Sequence, residues 1–99
     1  MPGSDWERLR GSSSAMEYEV YLRREAFEFL RQRHRDDREQ ILSLLRQLGR
    51  DPFRRGEFSE HDRSGRAIEG LILRRDAILF WTDHAVKEVK VIEIRYADR

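Results

Sequence analysis

The chain has 99 residues, which is enough for one domain with a modest core and too few for two. Charged residues make up 39% of it, but the net charge is only +1, so overall charge gives no argument for nucleic-acid binding. It has no cysteine, which excludes disulfides and thiolate chemistry, and no apolar run approaches the roughly 20 residues that span a bilayer. We therefore expect a cytoplasmic protein with no membrane partner.

The first segment, residues 1–15, is rich in glycine and serine and shows no apolar periodicity. Such a composition predicts a flexible extension, or residues foreign to the natural protein, ahead of a folded domain at 16–99. Docking of Trp6 onto that domain is the alternative.

A strand and a first helix follow. Tyr18, Val20 and Leu22 recur at every second position, which is the period of a half-buried strand. From Arg24 to about Gln32 the apolar residues change to a stripe of helical period, which predicts the first helix.

A second helix is predicted from about residue 36 to residue 48. Asp36 and Glu39 have the spacing of a capping box, and Gly49 stands where a left-handed residue ends a helix. Apolar residues recur between them at helical spacing, at Ile41, Leu44, Leu45 and Leu48.

The rest of the chain predicts strands, because proline after Asp51 cannot continue a helix and short turn segments recur. The predicted strands are a weak one at 56–62 and stronger ones at 66–73, 77–82 and 86–95, separated by turns at 63–65, 74–76 and 83–85.

Four segments together resemble a known family. They are Tyr18-Glu19-Val20 running into Arg24-Glu25-Ala26, the junction Leu48 to Phe53, Ala77-Ile78-Leu79-Phe80-Trp81 followed by Asp83, and the ending Val89 to Arg99. Their order and spacing resemble the RelE/ParE superfamily of toxins from bacterial toxin–antitoxin, or plasmid stabilisation, modules over residues 16–99. The resemblance implies an α+β fold of order β-α-α-β-β-β, and it leaves undecided whether there is one more strand. Two N-terminal helices would pack on one face of a mostly antiparallel sheet.

The resemblance also implies a function. It indicates a toxin that is neutralised by a cognate antitoxin protein and acts on the ribosome and messenger RNA or on DNA gyrase. A homodimer is left open. The alternative is a non-catalytic interaction module that keeps the fold without toxicity.

Cleavage of RNA by a ribosome-dependent endonuclease would need proton-transfer groups and cations. The resemblance carries Tyr96 and Arg99 over as catalytic residues, and His84 adds an imidazole of suitable intrinsic pKa. Relatives that cut RNA commonly have an arginine where this chain has Asp76-Ala77, which argues against nuclease activity. The candidate contacts to nucleic acid are Arg66, Arg75, Lys87, Lys90 and Arg95.

Both faces of the predicted sheet are apolar. By strict alternation Val89 and Val91 point one way and Ile92 and Ile94 the other, with Trp81 on the second side. Two helices cover only one face, so Trp81, Ile92 and Ile94 are the candidate partner contacts. The alternatives are that the loop 54–65 covers this face or that a bulge shifts the register.

No metal or cofactor site is predicted. His61-Asp62 and Asp83-His84 are adjacent pairs without the spacing of metal ligands on one face, and no glycine-rich phosphate loop is present.

Overall fold

Two strands precede the helices and four follow them. The computed structural model describes residues 5–9 and 18–97. In chain order the elements are β1 Trp6–Arg8, β2 Glu19–Arg23, α1 Arg24–Gln32, α2 Arg35–Arg50, β3 Phe58–His61, β4 Ala67–Leu73, β5 Asp76–Asp83 and β6 Glu88–Tyr96.

The six strands form one mixed sheet of order β1-β2-β6-β5-β4-β3. Strands β2 and β6 pair in parallel, with Val20 opposite Val89, and every other neighbouring pair is antiparallel. A parallel pair needs a long connection, and here the two helices and three strands lie between the partners.

The predicted fold class is therefore wrong. The described chain runs β-β-α-α-β-β-β-β, so the helices follow two strands, and the sheet has six strands of mixed direction. The extra strand lies within the segment that the sequence predicted as a flexible extension: Trp6 pairs with Arg23 at the edge of the sheet. Three residues are too short to show a period, which is why alternation did not identify this strand.

Both helices bury their apolar stripes against β2 and β6. Leu45 of α2 and Val20 are fully buried, and Phe80 of β5 is 1% exposed. Burying a side chain of this size contributes about 1.5–3 kcal/mol. The main core therefore lies between the helices and one side of the sheet.

The ends of α2 differ from the prediction. The capping residue is His34, whose Nδ1 accepts a hydrogen bond from the Asp36 amide at 3.2 Å, so Asp36 lies inside the helix. Gly49 is also helical and buried, and the helix ends at Arg50. The Gly49 carbonyl accepts from the amide of Tyr18 at 3.0 Å, which ties the helix end to the start of β2.

A β-bulge changes the register between β5 and β6. Leu79 pairs with Glu93 whereas Phe80 pairs with Val91, so Ile92 is the extra residue. Beyond the bulge Ile94 returns to the helix side, where it is 3% exposed. The predicted shared face of Ile92 and Ile94 is wrong, because strict alternation does not hold across a bulge.

Within residues 5–9 and 18–97, no helix is long and apolar enough to cross a membrane.

Candidate functional site

The side of the sheet opposite the helices carries a second, smaller apolar cluster. Ile68, Ala77 and Leu79 are each 3% exposed, and partly buried side chains of the same sheet pack around them, namely Phe58, Trp81 and Ile92. No helix or strand of the described chain lies over this side. We call it the open face, because no described helix or strand covers it.

A row of alternating cations and indole rings crosses the open face. The Arg66 guanidinium lies 3.9 Å from the centroid of the Trp81 ring. Lys90, on the neighbouring strand β6, has its Nζ 5.2 Å from the same centroid. Lys90 Nζ is also 5.9 Å from the Trp6 ring, and the Arg23 guanidinium is 5.3 Å from it. We call these five residues the cation–indole row.

The sheet register explains this row. Trp6 pairs with Arg23 across β1 and β2, and Trp81 pairs with Lys90 across β5 and β6. Tyr21, two residues before Arg23, pairs with Lys90 and completes the link between the two halves. Contacts of this kind contribute about 0.5–1 kcal/mol each at exposed sites, so the row orients side chains more than it stabilises the fold.

Acidic side chains balance part of this charge. Lys90 Nζ lies 3.6 Å from Glu88 and 3.9 Å from Asp83. Arg95 pairs with Glu60 across the face and with Glu93 at 3.3 Å. Arg66 and Arg23, at the two ends of the row, are both exposed and therefore accessible to an incoming acidic group.

The open face brings together several of the residues that the sequence singled out. Arg66, Lys90 and Arg95 lie there, with Trp81 and Ile92 beside them. It does not include the three others of that set. Arg75 is in the β4–β5 turn, Lys87 is in the β5–β6 turn with a φ of 59°, and Ile94 is in the main core.

The three candidate catalytic residues are not brought together. Tyr96 pairs with Asp76 at one end of β5, while His84 follows Asp83 at the other end, so the length of an eight-residue strand, about 24 Å, separates them. Arg99 lies outside the described residues. A single proton-transfer site made of Tyr96 and His84 is excluded by this distance.

Tyr96 instead belongs to a structural cluster. Its ring meets Phe29 edge to face at 5.2 Å, and the Arg33 guanidinium lies 5.1 Å from its centroid. Arg33 Nη2 in turn pairs with Asp76 at 3.1 Å and with Asp37 at 3.2 Å.

This ion pair is the most buried charge in the described chain, with Asp76 side-chain exposure of 3%. Burial disfavours the charge on Arg33, but the hydrogen bond and Coulombic attraction of Asp76 outweigh it and raise the pKa of Arg33 above its ordinary value. Sequence reasoning missed this role, because it placed Asp76 in a turn.

No three His, Asp or Glu side chains gather into a metal-binding group within 5–9 and 18–97.

No protein-family model matches this sequence, and a search of curated proteins finds no match.

Proposed function

We propose that this chain is the toxin of a bacterial toxin–antitoxin pair in the cytoplasm, and that it acts by binding its target rather than by cutting it. The sequence resemblance described above supports the toxin assignment. The observation that carries binding is the open face, where a cation–indole row borders apolar residues.

The open face suits a protein partner that carries both apolar and acidic side chains. Ile72, on β4, is 40% exposed and Ile92 is partly buried, so both present apolar surface. Exposed arginines stand at the ends of the row. A segment with alternating apolar and acidic side chains would cover the isoleucines and pair with Arg23 and Arg66. We assign this role to the antitoxin, which would neutralise the toxin by occupying the face that binds the target.

The preference for binding over cleavage rests on geometry. General acid–base catalysis needs both groups within hydrogen-bond reach of one substrate, a few ångströms apart. Tyr96, at the end of β6, pairs with the first residue of β5, whereas His84 follows the last residue of β5. Tyr96 also contacts Phe29 and Arg33.

Inducing the chain in a bacterial host tests this proposal. We expect growth arrest, and we expect co-expression of the product of the neighbouring gene to relieve it. The double variant Arg66→Glu and Lys90→Glu is expected to relieve arrest, because it reverses charge in the row. Arg35→Glu, at an exposed position at the start of α2, is the matched control and is expected to arrest growth like the unmodified chain.

Circular dichroism checks that the variants are folded. Absence of arrest with the unmodified chain would refute the toxin assignment. Message cleavage that disappears in Tyr96→Phe would refute binding as the mode of action. If the double variant arrests growth as strongly as Arg35→Glu does, the open face is not the target-binding site.

A further inference from the structure

A pocket of about 450 Å³ lies at the end of β5 next to His84, and it shares one lining residue, Trp81, with the cation–indole row. The loop that follows α2 forms one wall through Phe53, Arg54 and Arg55, and the ends of β4 and β5 form the other through Glu69 and Thr82. Its volume is in the range of pockets that hold small ligands. We propose that this pocket binds a nucleoside phosphate.

An aromatic surface is already in place for a planar ring. The Phe53 ring stacks on the His84 imidazole, with centroids 4.9 Å apart and planes 14° from parallel. Phe53 is 71% exposed, which leaves ring surface open to a ligand. A nucleobase stacks well on an exposed aromatic ring of this kind.

Two buried residues fix the orientation of this stack. The Tyr18 hydroxyl lies 2.9 Å from His84 Nδ1, and Tyr18 is only 8% exposed. Pro52, directly before Phe53, is buried. The stack is thus anchored on both sides, which lowers the ordering cost of binding.

Cationic donors flank the ring. Arg55 has a side-chain exposure of 86% and uses its Nε to reach Glu69 at 3.2 Å, and Arg54 donates to Gln47 at 3.4 Å. A guanidinium has five N–H donors, so each keeps donors for a phosphate after these contacts.

Hydrogen-bonding groups are also present for the edge of a base. The Thr82 hydroxyl can donate and accept. The Glu69 carboxylate oxygens accept from Gly56 N and Arg55 Nε, and each keeps a lone pair that can accept from an exocyclic amine. Ring surface, cations and edge groups in one pocket are the chemistry of a nucleoside phosphate. Either a free nucleotide or one nucleotide of a single strand supplies it.

Calorimetric titration of the full chain tests the proposal. The probes are guanosine 5′-monophosphate, adenosine 5′-monophosphate, inorganic phosphate and a single-stranded RNA pentamer. We expect saturable binding of at least one nucleotide probe with a Kd of about 1 mM or tighter, and much weaker binding of phosphate alone. A pentamer that binds no tighter than the monophosphates identifies a free nucleotide as the ligand, and a tighter pentamer identifies a strand.

Two variants with matched controls locate the site. Phe53→Ala is expected to weaken binding roughly 5- to 140-fold, the loss typical of one base–aromatic stack, whereas Val86→Ala, also at an exposed apolar residue, leaves it unchanged. Arg55→Ala is expected to weaken nucleotide binding, and Arg35→Ala is not.

Phe53 is exposed, so its loss should leave the fold intact, which a thermal melt checks. No saturable binding of any nucleotide probe, or unchanged affinity in Phe53→Ala, would overturn the proposal. Phe53 and Arg55 line the pocket and lie outside the cation–indole row, although Trp81 belongs to both. The variants at Phe53 and Arg55 therefore test nucleotide binding separately from the growth-arrest test, which changes Arg66 and Lys90.

Discussion

Replacing Asp76 by alanine is expected to remove about 3 kcal/mol of stability. Breaking a buried ion pair typically costs about 3–5 kcal/mol, because the remaining charge stays buried without its partner. Asp76 and Arg33 have side-chain exposures of 3% and 12%. Asp37, 3.2 Å from Arg33, still neutralises part of the arginine charge. The expected loss of stability is therefore at the low end of that range.

Asp37→Ala is the matched control, since this acid contacts the same guanidinium but has a side-chain exposure of 26%. We expect it to cost about 1 kcal/mol, as for a partly exposed pair. Arg33 Nε and Asp76 Oδ1 are buried without a hydrogen-bond partner among the described residues, so the pair is incompletely satisfied. The double variant Arg33→Met with Asp76→Ala should therefore lose less than Asp76→Ala alone.

Urea unfolding followed by circular dichroism gives the three free energies. A domain of this size is stable by about 5–15 kcal/mol, so a loss of 3 kcal/mol shifts the midpoint clearly. The raised pKa of Arg33 means that its contribution is present below the unfolded-state pKa and is lost only at extreme alkaline pH. Similar losses for Asp76→Ala and Asp37→Ala would refute the reasoning.

Two further predictions test the bulge and the β3–β4 turn. Ile94→Asp is expected to cost more than about 4 kcal/mol and Ile92→Asp only about 1 kcal/mol, because only Ile94 lies in the main core; thermal melts with equal shifts would contradict this. Hydrogen bonds from the Ser64 hydroxyl, and then from the Arg66 and Ser64 amides, outweigh desolvation and lower the pKa of Asp62. This turn is therefore most stable above the unfolded-state pKa of aspartate and weakens as pH falls through the lower folded value. Ser64→Ala should raise the pKa of Asp62 in an NMR titration. An unchanged pKa would contradict the role given to the Ser64 hydroxyl.

Sequence periodicity predicted the regular parts of the fold. The helix from Arg24 to Gln32 has the predicted bounds, and Leu45 lies in the core with the rest of its stripe. Periodicity failed where pairing partners decide the structure. Trp6–Arg8 becomes a strand only because β2 offers it an edge, and the bulge at Ile92 arises from the pairing with β5. Neither partner is visible in a local window.

Only the part of the candidate site that depends on local alternation was predictable from the sequence. Alternation placed Trp81 on the side away from Phe80, as observed. The register that sets Trp81 beside Lys90, and the contact of Lys90 with Trp6, depend on strands that are distant in the chain. The stack of Phe53 on His84 likewise joins a loop and a turn that are 31 positions apart in the chain, and composition gives no signal for it.

The position of β6 has a consequence for synthesis. It is the last strand that the structure describes, yet it lies inside the sheet, between β2 and β5. A nascent chain that has not yet released β6 from the exit tunnel holds two separate groups of strands, β1 with β2 and β3 with β4 and β5, and no strand pairing joins the two groups. Core closure must then wait until residues 88–96 emerge, so a partly translated chain presents neither the cation–indole row nor the parallel pair in finished form.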